Sequence, residues 1–129
     1  MTGGRWTTLD RIVDVEPGKS ATAIRNVPNT LAIFDSHFPR FPVMPGVLIL
    51  GSLGTLAAEL LEQETGRTWK LAGADRVGFR HFVQPGDQMS LTVALKERTD
   101  EEAVLSGEVK VDDKVVTRAR KLRMVPMED

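Results

Sequence analysis

A chain of 129 residues that is 41% hydrophobic and 27% charged carries enough apolar side chain to build one core of ordinary size. Its 17 basic and 18 acidic residues nearly cancel, so no overall charge field favours nucleic acid or an anionic membrane surface. The absence of cysteine excludes disulfides, thiolate chemistry and cysteine-held metals, and two histidines, His37 and His81, are too few for a histidine-rich metal centre.

The opening residues MTGGRWTTLD show no basic segment followed by an apolar stretch, so no signal peptide is expected. The longest apolar run, Val47 to Leu50 extended through Leu53, falls far short of the roughly 20 residues that cross a bilayer. A single cytoplasmic domain over residues 1–129 is the expectation.

Leu9 to Val15, LDRIVDV, reads as a short strand to which Leu9, Ile12 and Val13 bring apolar surface. Glu16-Pro17-Gly18-Lys19 is turn chemistry, because proline presets the first corner and glycine permits positive φ. Ser20 to Val27 returns as the second arm of a hairpin, and Pro28 and Asn29 end it. Leu31 to Phe34 is a short apolar patch that tethers the loop carrying His37.

The stretch from His37 to Leu61, HFPRFPVMPGVLILGSLGTLAAELL, organises the rest. Three prolines follow the histidine closely, and a long proline-free apolar run comes after them, which reads as a loop feeding a buried helix. Pro45 suits the first helical position, where its missing N–H costs nothing, and Gly46 leaves the helix mouth unobstructed. The unpaired amides and positive dipole end at such a mouth stabilise an oxygen that is gaining negative charge. Val47, Leu48, Ile49, Leu50, Leu53, Leu56, Ala57, Leu60 and Leu61 cover most of the helix circumference, so it must be wrapped on nearly every side. Charges return at Glu59, Glu62 and Glu64, which places the far end near solvent, and Gly66 is placed to close the helix as a left-handed cap.

Trp69 to Phe82 reads as a bent strand whose internal glycines suggest a bulge or a close backbone approach. Pro85-Gly86-Asp87 is a turn. Met89, Leu91, Val93 and Leu95 then alternate with polar residues as a half-buried strand. Arg98 to Glu102 is a hairpin loop, Val104 to Val111 a strand, Asp112-Asp113-Lys114 a turn, and Val115 to Met124 the last strand. The basic residues Arg118, Arg120, Lys121 and Arg123 read either as one solvated face of an edge strand or as a surface for an acidic partner. His81 reads as a surface histidine at a strand end. The pattern predicts an α+β domain in which a curved antiparallel sheet wraps one helix, with a dimer interface covering what the sheet leaves open.

The run HFPRFPVMPGVLIL resembles the active-site signature of the β-hydroxyacyl-acyl carrier protein dehydratases, a hot-dog-fold family. The flanking segments LDRIVDVEPGKSATAIRNV and VGFRHFVQPGDQMSLTVALKERTDEEAVLSGEVKVDDKVV are similar to the family's strands in the same order, so the likeness runs from about Leu9 onward. The resemblance implies a hot-dog dimer, an acyl chain on the phosphopantetheine of an acyl carrier protein, no other cofactor and no metal, and loss of water from a 3-hydroxyacyl group. By the same resemblance His37 handles the C2 proton, and Gly46 and Val47 form the helix start whose backbone amide holds the thioester carbonyl. That role matches the physics of the helix mouth and of a side chain that titrates near neutrality.

Fourteen residues after the histidine the family has a Glu or Asp that acts across the dimer as acid for the leaving hydroxyl, with a supporting glutamine four residues later. Here those positions are Gly51 and Thr55. The expected substrate-binding set is therefore Gly46, Val47, Gly51, Thr55 and Phe41, around His37 as the catalytic residue; chain length depends on packing of Phe34, Phe41, Leu53 and Leu56. Gly51 and Gly54 are poor helix formers, which a helix keeps where a substrate, a second helix or a partner side chain approaches closely. Three functions fit: a dehydratase completed by a related hot-dog subunit that supplies the acid, a homodimeric isomerase or thioesterase, and a non-catalytic subunit that binds acyl carrier protein in a fatty acid or polyketide pathway.

Overall fold

The computed structural model describes residues 9–27 and 46–127. The elements run β1 (Arg11–Glu16), β2 (Ser20–Asn26), α1 (Gly46–Thr65), β3 (Trp69–Phe79), β4 (Gln88–Arg98), β5 (Ala103–Val111) and β6 (Lys114–Pro126). All strand pairings are antiparallel, and the six-stranded sheet has the order β1-β2-β4-β5-β6-β3 with α1 packed across one face.

The turns form where their residues allow them. Gly18 takes φ 74° and Lys19 N donates to Glu16 O at 2.9 Å, which closes the first hairpin. Asp112 and Asp113 both sit at positive φ, 52° and 67°, and so make the tight two-residue turn between β5 and β6 that matches sheet twist. Gly86 adopts φ 92° while the Asp87 carboxylate accepts from Gln84 N at 2.8 Å. Gly66 closes α1 with φ 74°, donating its N–H to Glu62 O at 2.8 Å, as the sequence predicts.

Alternation decides which face of each strand meets the helix. Ala21 and Ala23 of β2, Met89, Leu91 and Val93 of β4, Leu105 and Val109 of β5, and Ala119 and Leu122 of β6 are all buried. Against them α1 buries Ile49, Leu53, Leu56, Ala57, Leu60 and Leu61. Each large side chain so removed from water contributes about 1.5–3 kcal/mol. The helix is 20 residues long with a hydropathy of 1.2, enough by length and composition for a bilayer span, which exceeds the short apolar run read from the sequence. Its apolar side is instead occupied by the sheet.

Two glycines permit the close seating. A Cβ on Gly107 of β5 would lie 2.9 Å from Leu122 Cδ1 and 3.1 Å from Leu53 Cδ1, so the bare backbone there is the socket for Leu53. A Cβ on Gly54 would lie 3.2 Å from the Leu71 Cβ; what approaches Gly54 is thus β3 of the same chain.

Two expectations change. Strand β3 ends at Phe79, so His81 and Phe82 lie beyond it, both exposed. Strand β6 lies between β5 and β3; the edges are β1 and β3, and the basic residues of β6 are not on an edge strand. As the apolar content of the helix predicts, the sheet leaves part of it uncovered: Leu48, Leu50 and Ala58 are half-buried and Val47 is 73% exposed. The predicted bulge in β3 is present, between Leu71 and Gly73.

Gly107→Ala should force Leu53 and Leu122 apart and cost about 1–3 kcal/mol of stability by overpacking. Chemical denaturation of wild type and variant measures it. An unchanged midpoint would mean the socket is not tight.

Candidate functional site

The start of α1 is the part of the expected acyl site that the described residues contain. His37, Phe41, Phe34 and Pro45 lie outside them. Gly46 is the first helical residue, and no acidic side chain occupies the first turn. The amides of that turn have no intrahelical acceptor and carry the positive end of the dipole.

Phe79, at the end of β3, stands directly against this helix start. A Cβ on Gly46 would fall 2.7 Å from Phe79 Cζ and 2.9 Å from Cε1, so glycine is a steric requirement beside this ring. Phe79 is itself 50% exposed, and Val47 next to Gly46 is more exposed still, so two apolar side chains flank the helix mouth at the surface. The sequence offers no signal for Phe79 in this role, because a phenylalanine ending a strand reads as core.

Val47, Gly51 and Thr55 recur at intervals of four and therefore share one face of α1, the face turned away from the sheet. Gly51 and Thr55 are half-buried. The Thr55 hydroxyl donates to Gly51 O at 3.0 Å, which commits its proton to the helix backbone. No carboxylate appears along α1 before Glu59, more than three turns in from Gly46. The helix thus brings Val47, Gly51 and Thr55 to one side, with Gly46 turned toward Phe79 of β3, and supplies no acid on that side.

Beneath the same turns lies a polar contact that the sequence reading missed. Arg25, 4% exposed, follows Ala21 and Ala23 in the inward phase of β2 and reaches under the helix. Its Nη1 donates to Ser52 Oγ at 2.7 Å, and Ser52 Oγ donates in turn to Leu48 O at 3.2 Å. Burial pulls the guanidinium below its ordinary value, and the nearby Asp10 charge opposes that pull. A basic residue in an inward phase was the available signal. Among the described residues no group of three His, Cys, Asp or Glu side chains is placed to hold a metal ion.

A family model for the FabA-like domain matches residues 3–120. The chain belongs to the FabA-like dehydratase family. It is 37% identical over 121 residues to the 3-hydroxyacyl-[acyl-carrier-protein] dehydratase FabZ of Lactobacillus helveticus, covering 92% of this chain and 82% of that protein. The FabZ of Shewanella sp. strain MR-4 is 40% identical over 118 residues, covering 86% of this chain and 77% of that protein. Among solved structures, the dehydratase heterocomplex ApeI:P from Xenorhabdus doucetiae superposes with a TM-score of 0.70 at 23% identity, covering 88% of this chain and 96% of that one. The fold is the hot-dog fold, one helix on a six-stranded antiparallel sheet.

Ser52→Ala should leave the buried Arg25 short of an acceptor and cost about 1–3 kcal/mol. Arg25→Met should offset part of that loss in the double variant, because the orphaned charge is then gone. Denaturation of the two single variants and the double variant forms the cycle; strictly additive losses would mean that the contact contributes nothing.

Proposed function

We propose that this chain is a subunit of a 3-hydroxyacyl-acyl carrier protein dehydratase whose acid comes from a second, related hot-dog subunit. The observation that carries the reading is α1 itself: a helix start at Gly46 and Val47 with no acidic side chain in its first turn, followed by Gly51 and Thr55 where the family resemblance places a carboxylate and its glutamine. The mouth suits the enolate-like oxygen of a thioester that is losing its C2 proton. His37 takes that proton, the C3–O bond breaks, and the departing hydroxyl needs a proton to leave as water. Nothing on the Gly51 and Thr55 face of α1 can give it.

Pairing with a second subunit follows from the surface. Among the described residues strand β3 is an edge of the sheet, and α1 carries the half-buried Leu48, Leu50 and Ala58. A dimer is the family's expected form, and the Xenorhabdus neighbour is itself a heterocomplex, which supports a division of labour between unlike subunits. The substrate arrives on the phosphopantetheine of an acyl carrier protein, no further cofactor is needed, and the reaction belongs to fatty acid or polyketide synthesis in the cytoplasm. Gly46, Val47, Gly51, Thr55 and Phe41 form the acyl site around His37.

Mass spectrometry of a 3-hydroxyacyl carrier-protein substrate tests this directly. The purified chain should release no water by itself, Gly51→Glu should gain activity, and His37→Ala in that background should lose it again. Rapid dehydration by the unaltered chain alone would overturn the missing-acid reading. A shifted double bond or a free acid in place of water loss would favour isomerase or thioesterase chemistry.

A further inference from the structure

The outer face of the sheet, opposite α1, carries a feature that the acyl site does not use. Strand β6 holds Arg118, Arg120, Lys121 and Arg123, yet it is an inner strand. Lysine and arginine on an edge strand are explained by protection against edge-to-edge pairing, and that explanation does not reach an inner strand.

Two bulges concentrate the charge. In β6 the register slips between the Leu105 and Gly107 pairs, so Arg120 and Lys121 together oppose Ser106, and both are exposed. In β4 it slips between the Leu95 and Glu97 pairs, which makes Lys96 the extra residue. Both bulges therefore flank the same short stretch of β5 from opposite sides. Bulges re-aim side chains, and here two of them leave Lys96, Arg120 and Lys121 exposed on either side of β5.

Lys96, Ser106 and Arg120 line one open trough of about 650 Å³, which Thr92 and Ala94 of β4 also line with small side chains. Two carboxylates also line it: Glu108, which is taken up by Arg118 at 2.7 Å and Lys110 at 3.8 Å, and Asp113 in the turn between β5 and β6, which leaves Lys96 and Arg120 as its cations outside any ion pair among the described residues. Arg123 is held by Glu102 at 3.4 Å. No carboxylate among the described residues lies within ion-pair distance of Lys96, Arg120 or Lys121.

We infer that this trough docks an acidic segment of a protein partner, its carboxylates meeting Lys96 and Arg120 beside the Ser106 hydroxyl. Charge complementarity selects the sign of the occupant. Its form follows from shape: the trough is an open shelf, whereas sites for small ligands enclose most of the ligand. The basic stretch from Arg118 to Arg123 extends along the strand for roughly 17 Å at about 3.3 Å per residue, a length that suits a chain with carboxylates spaced along it. The inference stands independently of the acyl chemistry, since the trough and α1 lie on opposite faces of the sheet.

The probe is a fluorescein-labelled peptide of alternating glutamate and alanine long enough to span the stripe, with its glutamine counterpart as control, read by fluorescence anisotropy at low salt. The glutamate peptide should bind, shift the amide resonances of Thr92 and Ser106, and dissociate as salt screens the charges. Lys96→Gln with Arg120→Gln should weaken binding about three- to tenfold. Ser106→Glu, which leaves every cation in place, should weaken it at least as much, while Lys19→Gln with Lys70→Gln, outside the trough, should not. Equal loss in that outside pair, or equal binding of the glutamine peptide, overturns the inference. So does displacement of the peptide by inorganic phosphate at matched ionic strength, which would mark a small-anion site. Binding of phosphatidylserine vesicles without binding of the peptide would mark a membrane surface and overturn it too.

Discussion

The structure depends on how closely α1 can sit on its sheet. Leu53 descends onto Gly107, where a methyl group would already be too much, and Gly54 lets Leu71 of β3 press against the helix backbone. These contacts set the height of the helix over β5 and its distance from β3. With Leu56, Leu60 and Leu61 buried along the same side, the helix has one seating. The same seating puts Gly46 against Phe79, so the position of the helix mouth is a consequence of core packing.

The two sides of the helix then divide the chemistry. The sheet side is largely apolar, and the Arg25–Ser52 contact holds a cation under the second turn without exposing it. The other side presents Val47, Gly51 and Thr55 above a dipole whose positive end is uncompensated by any first-turn acid. Such a face stabilises negative charge and donates no proton from a side chain acid. A reaction that both develops an oxyanion and expels hydroxide needs a source of protons besides this face of α1.

The two sheet faces differ as sharply. Alternation sends Met89, Leu91 and Val93 toward the helix and leaves Ser90, Thr92 and Ala94 outside, a face too shallow and too polar for a core. The bulges at Lys96 and at Arg120 and Lys121 break the strict alternation without disturbing the buried set, because the extra residue in each case points outward. Charge is thereby gathered on a strand that is paired on both sides.

Much of this was legible in the sequence. Apolar alternation fixes the β4 and β5 phases, glycine and aspartate chemistry fixes the turns at Gly18, Gly66, Gly86 and Asp112-Asp113, and the motif from His37 to Leu50 identifies the family. These are local: period, turn residue and motif each act over a few neighbouring positions. The place of β6 inside the sheet was not legible, because strand order follows from long-range pairing that charge and hydropathy along one strand do not encode. The same holds for Phe79 on Gly46, Arg25 under Ser52 and Leu53 on Gly107, each joining residues far apart in the chain. The sequence by itself determined which elements form and what chemistry they lack; only the tertiary structure decided which side chains meet, because close packing selects those pairs after every local preference has been met.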